Sequence, residues 1–534
     1  MMVFSNKKTP VFQKVQLYLT TVSLGIVLLT FFTIIYNPVL HHDVAQYLTA
    51  GQMFIGGAWP YVDIIDTNLP MIIYINAIPA AFSKLTHVPL VVAGILLFYV
   101  LTIITMLILG KILRVSFPEL TRQKVYFLYI VWLFIALFSY RIKVFGQREQ
   151  LIFLFLAPFL ALRNARYMEV KIPLLLSITT TFFAFCAVAI KPFYILPVLI
   201  IEAIQMGVHR CFLKPFIFVE TLMFFSLSLL YMVHFYFFPG MSSFYDYWLI
   251  FMIRGYKAYE VGVNRIIIDL LYNPSIYMFC ILAFFLCFIY LYKKNSLFLL
   301  SSCFGWFACC TLVLFLWQAK GWPYQLLPFY YSTIIGIALA FIATPKPFVK
   351  ELFLCSIIFT GASILIMFDF NSRVFTLQDR TLRVSQILIP KNKLTNMIES
   401  LTTPNDRVLF LSTSVDPGFP ALTYTERMPG SRFLIMFPIA FFFKHSINYV
   451  PEKSMRDDEV MFYEMLKKDV TTLKPKLVFI TIRDNLQVTP SYFKITEYLK
   501  KRGFYMNILS SYHNIGQLNC EDGEIFEVWL YNEN

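Results

Sequence analysis

Charge is what this sequence lacks. Only 14% of its 534 residues are Asp, Glu, Lys or Arg, while 58% are hydrophobic and the mean hydropathy is +0.66. Soluble proteins carry roughly a quarter charged residues, so the composition excludes a water-soluble globular chain and implies an integral membrane protein. Cysteine spacing of the metal-binding kind is missing too. Of the nine cysteines, Cys186, Cys211, Cys280, Cys287, Cys303, Cys309, Cys310 and Cys355 lie in or beside apolar runs, and only Cys520 falls in a clearly polar stretch. No Cys-x-x-Cys pair occurs, which argues against a disulfide framework and a thiolate metal site. The adjacent Cys309 and Cys310 read as membrane packing. There is no Gly-rich phosphate loop, no internal repeat and no low-complexity tract. The net charge of +14 does not signal nucleic acid, because Lys and Arg gather in short loops between apolar runs, the pattern of membrane topology.

Those runs predict an α-helical polytopic membrane protein. A spanning helix needs about 20 apolar residues, and about eleven segments approach that: 16–36, 88–110, 125–140, 150–162, 172–190, 193–207, 215–238, 273–292, 296–316, 323–342 and 352–369. The first is too long for a signal-peptide core and lacks a small-residue cleavage site. Alternate loops are basic: Lys7, Lys8 and Lys14; Lys111, Arg114, Arg122 and Lys124; Arg163, Arg166 and Lys171; Arg210 and Lys214; Lys293 and Lys294; Lys346 and Lys350. The positive-inside rule then places the N terminus in the cytoplasm and the C-terminal region outside. This count requires residues 70–84, short and interrupted by Asn76 and Pro79, to lie on the outer surface. The first external loop would run over 37–87. Residues 1–370 thus form the membrane domain. Residues 371–534 change in composition, with strand-like 407–411 and 476–481 and helical patterns near 457–469 and 491–502, and predict a soluble extracytoplasmic α/β domain.

That topology collects the unusual polar residues on one face. The first external loop carries Asp43, Asp63 and Asp66. The second carries Arg141, Lys143, Gln147, Arg148 and Glu149. A third carries Asp246, Arg254, Tyr256, Lys257, Glu260 and Arg265, and a fourth Gln318, Lys320, Trp322, Tyr324 and Gln325. Lys191-Pro192 sits at the outer end of the 172–190 span. Basic residues outside run against the topological bias, and a phosphate ligand at the outer leaflet would account for them. Simpler roles exist for each: a helix cap or solvated charge at Asp43, an Arg–Glu pair at a helix end for Arg148 and Glu149, snorkelling for Lys191. The aromatic stripe Tyr245, Tyr247, Trp248, Phe251, Tyr256 and Tyr259 reads as an interfacial belt or a lid over a lipid chain.

Four motifs in order carry a resemblance: His41-His42-Asp43; Gly57-x-x-Pro60-Tyr61-x-Asp63 closing at Pro70; Phe145-Gly146-Gln147-Arg148-Glu149 with Lys191-Pro192 downstream; and Lys320-Gly321-Trp322-Pro323-Tyr324-Gln325-Leu326-Leu327-Pro328. Over residues 1–370 the chain resembles the GT-C superfamily of polytopic glycosyltransferases, among bacterial members related to protein O-mannosyltransferases and lipid A aminoarabinose transferases. The resemblance implies transfer of a sugar from a polyprenyl-phosphate donor to a glycan, lipid or protein acceptor at the outer face of the bacterial inner membrane. Asp43 matches the catalytic Asp of the first loop, and Glu149 the acidic residue of the second. Asp63, Asp66, Gln147, Arg148, Lys191, Arg254, Lys257, Lys320 and Tyr324 are the expected substrate contacts. The family's Asp-x-Asp or Asp-Glu pair is absent, and adjacent histidines are poorly placed to share one ion with Asp43, so no metal or cofactor is expected; a divalent metal is the alternative. Two other functions compete: a transporter or flippase for a lipid-linked saccharide, and a non-catalytic envelope assembly protein. A transporter should carry charges or broken helices near the midplane, whereas the mid-span segments here are nearly free of charge.

Overall fold

The computed structural model describes residues 40–141, 144–238, 244, 259–292, 295–344, 391–444, 457–483, 494–521 and 523–532. The expected spans 16–36 and 352–369, the expected contacts Arg254 and Lys257, and the aromatic stripe before Tyr259 lie outside these residues. In chain order the helices up to residue 344 are α1 (His42–Ile55), α2 (Met71–Thr86), α3 (Leu90–Ser116), α4 (Arg122–Arg141), α5 (Arg148–Tyr167), α6 (Leu174–Ile190), α7 (Ile195–His209), α8 (Val219–Phe237), α9 (Val263–Leu271), α10 (Pro274–Tyr292), α11 (Ser296–Gln318) and α12 (Leu327–Ala343). Each expected span within the described residues therefore falls on a helix. Among the described residues five helices are long and apolar enough to cross a membrane: Leu90–Ser116, Pro192–His209, Val219–Phe237, Ser296–Gln318 and Pro323–Ala343. A sixth is added if Val263–Leu271 and Ile276–Leu291, bent by 97°, form one broken span. The 70–84 segment is the 16-residue helix α2, shorter than a spanning helix requires.

The C-terminal part contains α13 (Lys393–Leu401), β1 (Arg407–Leu411), α14 (Gly418–Thr425), β2 (Met428–Pro429), α15 (Phe437–Lys444), α16 (Asp457–Leu473), β3 (Leu477–Arg483), α17 (Ile495–Lys501), α18 (Phe504–Asn507), β4 (Tyr512–Asn519) and β5 (Ile525–Tyr531). The sheet order is β2-β1-β3-β5-β4. β1 is parallel to both β2 and β3, with Phe410 opposite Phe479, while β5 is antiparallel to β3 and to β4. Strand alternation sorts the side chains onto two faces. Phe410 stacks on Phe479 with centroids 4.7 Å apart, and both meet Phe526 edge-on. Leu409, Leu411, Val478 and Ile480 enter the other layer with Phe437, Phe462, Leu466 and Phe504.

By packing, the chain groups into two compact units. One unites residues 98–229 and 262–344; the other unites 40–97, 230–261 and the C-terminal part. In the second unit, α1 and α2 cross so closely at Gly51 that a Cβ there would lie 2.4 Å from the Asn76 carbonyl oxygen. In the first unit α10, α11 and α12 pack in succession, and α5 packs on α6, α7, α11 and α12. Gly305 lets α11 approach the backbone of α10, where a Cβ would come within 2.7 Å of the Cys287 nitrogen.

The first unit also holds a buried ionic layer that the sequence reading treated as topological charge. Arg163 and Arg166 occupy the last turns of α5 rather than a loop. Arg163 Nε and Nη2 donate to both carboxylate oxygens of Glu202 at 2.6 and 2.8 Å, and Nη1 donates to Thr221 at 3.1 Å. Arg166 pairs with Glu220 at 2.7 Å and donates to Ser177 at 2.9 Å. Glu202 lies inside the Pro192–His209 span, so the expectation of nearly charge-free mid-span segments is corrected there. The acid is tolerated because an arginine fork neutralises it bidentately.

Candidate functional site

The sequence candidates fall into two groups, one in each unit. In the second unit Asp43 lies in the first turn of α1. His41 is the N-cap, and its Nδ1 accepts the Asp43 backbone N–H at 3.2 Å. A helix N-terminus carries unsatisfied N–H groups and the positive end of the macrodipole, both of which favour a carboxylate. The residue is buried, 8% exposed. His42 Nε2 lies 3.5 Å from Asp43 Oδ1, and His41 Nδ1 3.9 Å from Oδ2. Accepting at Nδ1 places the proton of neutral His41 on Nε2. Two imidazoles thus border one carboxylate.

Adjacent histidines were expected to be poorly placed to share one ion with Asp43; the turn into α1 brings one donor atom from each of His41, His42 and Asp43 within 4.8 Å of one another. A tetrahedral zinc ion would need donors roughly 3.4 Å apart, and the His41 Nδ1 lone pair already receives an amide. These three residues would be the ones to hold a divalent ion, after rearrangement of the cap.

Asp63 and Asp66 build the loop that follows α1. Asp63 Oδ2 accepts the Trp59 N–H at 3.0 Å. Asp66 accepts the Thr67 N–H at 2.6 Å and the Asn68 side-chain amide at 2.8 Å, while the Tyr61 hydroxyl donates to the Asn68 carbonyl at 2.9 Å. Burial pushes the Tyr61 phenol well above its ordinary range, with Tyr231, Asp66 and Tyr74 adding to the effect. The structure thus gives both carboxylates a loop-shaping use.

In the first unit the second and fourth motifs meet. Gly146 has a left-handed φ of 82°, and a Cβ there would lie 2.4 Å from the Phe98 ring, so this turn requires glycine. It leads to Gln147, whose Oε1 accepts the Arg148 N–H at 3.2 Å and caps α5. Glu149 and Lys191 form a buried ion pair, with side-chain exposures of 0% and 6%. Tyr194 is close enough to feel the charges of Glu149 and Arg148. The turn Pro323–Leu326, carrying Tyr324 and Gln325, packs against α5. Trp317 meets Phe193 edge-on at 6.1 Å, and Trp322 stacks on Tyr324. Lys320 Nζ lies 5.1 Å from the Trp322 ring centroid, and Arg148, Glu149, Lys191 and Lys320 are all buried. Three cations and one anion therefore gather where α5 and α12 begin and α6 and α11 end. The Arg163–Glu202 layer, by contrast, gathers the opposite ends of α5 and α6, where Arg166 donates to Ser177.

No family model matches the chain, and no curated protein matches its sequence.

Sequence reasoning did not single out Tyr194, Phe193 or Trp317, whose aromatic runs look like ordinary membrane packing. Nor did it single out Thr423 and Tyr424, which carry no local signal.

Proposed function

We propose that this chain is a GT-C-type membrane glycosyltransferase. It moves a sugar from a polyprenyl-phosphate donor to a glycan, lipid or protein acceptor at the outer face of the bacterial inner membrane. The observation that supports this reading best is the buried set Arg148, Glu149, Lys191 and Lys320. Its excess of positive charge at one end of apolar helices suits a phosphate whose hydrocarbon tail stays in the bilayer.

In this mechanism the Asp43 carboxylate takes the proton of the acceptor hydroxyl as its oxygen attacks the anomeric carbon. The bond from that carbon to the phosphate oxygen breaks, and the phosphate leaves with the electron pair. Attack opposite the leaving group inverts the anomeric centre. Negative charge grows on the phosphate, where Arg148, Lys191 and Lys320 stabilise it, joined in the proposal by Arg254 and Lys257. Glu149 acts through Lys191, holding its ammonium in place. Gln147 sets the start of α5, and Tyr324 borders the same end of the helices. Asp63 and Asp66 shape the loop beyond Asp43 and contact substrate through it. The layer of Arg163, Arg166, Glu202 and Glu220 is charge-balanced, which favours a structural lock over a transport pathway. The full count of about eleven spans, with the N terminus cytoplasmic and the C-terminal domain extracytoplasmic, belongs to the same proposal.

Mass analysis of envelope glycans and lipids from a strain lacking this protein tests the reading. One glycan, lipid or glycoprotein should lose a single sugar while its polyprenyl-phosphate donor accumulates. An unchanged profile of both would overturn it.

A further inference from the structure

The segment bearing Asp43 is held by a helix 378 residues further along the chain. α14 packs against α1, and its last turn makes three buried hydrogen bonds to the chain on either side of Asp43. The Leu40 N–H donates to the Tyr424 hydroxyl at 3.0 Å. The Thr423 hydroxyl donates to the Ala45 carbonyl at 3.0 Å and lies 2.9 Å from the Thr49 hydroxyl. Tyr424 thereby fixes the residue three before Asp43, and Thr423 the residue two after it. Everything between them is the N-cap His41, His42, Asp43 and Val44. The first turn of a helix has N–H groups with no intrahelical acceptor, and helix ends fray unless held from outside. Beyond α1 the same loop is gripped again. The Ile65 N–H donates to the Arg432 carbonyl at 2.7 Å, and Arg432 Nη1 to the Val62 carbonyl at 3.3 Å; Asp469 anchors the Arg432 guanidinium at 2.7 Å.

We propose that α14 is a positioning element for Asp43, with Thr423 and Tyr424 as the positioning residues, so that the C-terminal domain works as part of the catalytic apparatus. The chemical consequence rests on the transferase reading above; the hold on the α1 N-terminus does not. A general base misplaced by about 1 Å can lose two orders of magnitude in rate. Two hydroxyls thus control the reaction without touching the substrate.

The test uses full-length protein in lipid nanodiscs. The variants are Thr423→Val, Tyr424→Phe and Thr423→Ser, with Thr425→Val as control, because the Thr425 hydroxyl bonds within α14 at 2.8 Å to the Ala421 carbonyl. The first readout is amide hydrogen exchange over residues 40–49. Thr423→Val and Tyr424→Phe should speed it about fivefold, the loss of roughly one buried hydrogen bond; Thr423→Ser and Thr425→Val should match wild type. The second readout needs no sugar substrate. Dicyclohexylcarbodiimide adds the protonated carboxyl across its C=N bond, and the pH profile of Asp43 labelling, followed by peptide mass spectrometry, reports on that carboxyl directly. Its midpoint should shift in Thr423→Val and Tyr424→Phe and stay fixed in the other two. The third is the sugar-transfer rate in the deletion strain, normalised to protein level, expected to fall at least tenfold in the same two variants. Unchanged exchange and labelling would overturn the proposal. Faster exchange with wild-type labelling and transfer would reduce the bonds to domain attachment and equally overturn positioning. Should wild type transfer no sugar, the transferase reading fails alone, and exchange with labelling still decide the hold on Asp43.

Discussion

Breaking the Glu149–Lys191 pair should destabilise the membrane unit more than removing it whole. The two side chains are 0% and 6% exposed, and they join the first turn of α5 to the residue ending α6. Lys191→Met would leave the Glu149 carboxylate buried without its cation, and Glu149 Oε2 already has no hydrogen-bond partner among the described residues. Stranding one member of a buried pair costs about 3–5 kcal/mol, whereas replacing both by neutral groups of similar volume is often neutral or stabilising. Lys191→Met should therefore cost about 3–5 kcal/mol, Glu149→Gln a similar amount, and the double variant at least 2 kcal/mol less than the sum. Reversible SDS unfolding in mixed micelles, followed by tryptophan fluorescence, measures all four proteins in one cycle. Equal costs for the double variant and the sum of the singles would show that the side chains do not act as a pair. A cost below about 1 kcal/mol for Lys191→Met would refute the burial argument itself.

Gly51→Val should destabilise the crossing of α1 and α2, because its Cβ would meet the Asn76 carbonyl at 2.4 Å; a loss of about 1–3 kcal/mol is expected, and wild-type thermal unfolding would contradict the close approach. An alkaline phosphatase domain fused after residue 369 should be active if the C-terminal part is extracytoplasmic, and a well-expressed inactive fusion would overturn the proposed sidedness. Arg163→Met should strand Glu202 and lower stability by about 3–5 kcal/mol while leaving Asp43 labelling by carbodiimide unchanged; altered labelling would mean that the ionic layer serves more than structure.

The helices were legible as apolar runs, and among the described residues five, or six with the broken pair, are long and apolar enough to cross a membrane, where the backbone must satisfy itself as helix. β1 and β3 were legible as short apolar runs of β-branched and aromatic residues. The β4–β5 hairpin went unread, although Ile525–Tyr531 buries Phe526 and Val528 in alternation and follows an Asp522-Gly523 dipeptide, a hairpin signal. β4 hid it, since His513 to Gln517 are exposed and give no alternation to read. Arg163 and Arg166 were taken for topological charges because their partners, Glu202 and Glu220, lie 39 and 54 residues away, and no period links them. Gln147, Arg148, Glu149 and Lys191 were each visible as charge or amide in the wrong place, but which acid meets which base follows only from the packing of α5 on α6. The hold of Thr423 and Tyr424 on the Asp43 segment had no sequence signal at all.

The most direct measurement of the central claim is sugar transfer by the purified protein and its Asp43→Asn variant, supplied with the polyprenyl-phosphate sugars extracted from the deletion strain. The variant keeps the size and planar shape of the side chain while removing its charge and its basicity. The account predicts transfer by the wild type and a loss of about 10²–10⁴-fold in Asp43→Asn at unchanged folding and membrane insertion. Turnover by Asp43→Asn close to that of wild type would contradict it.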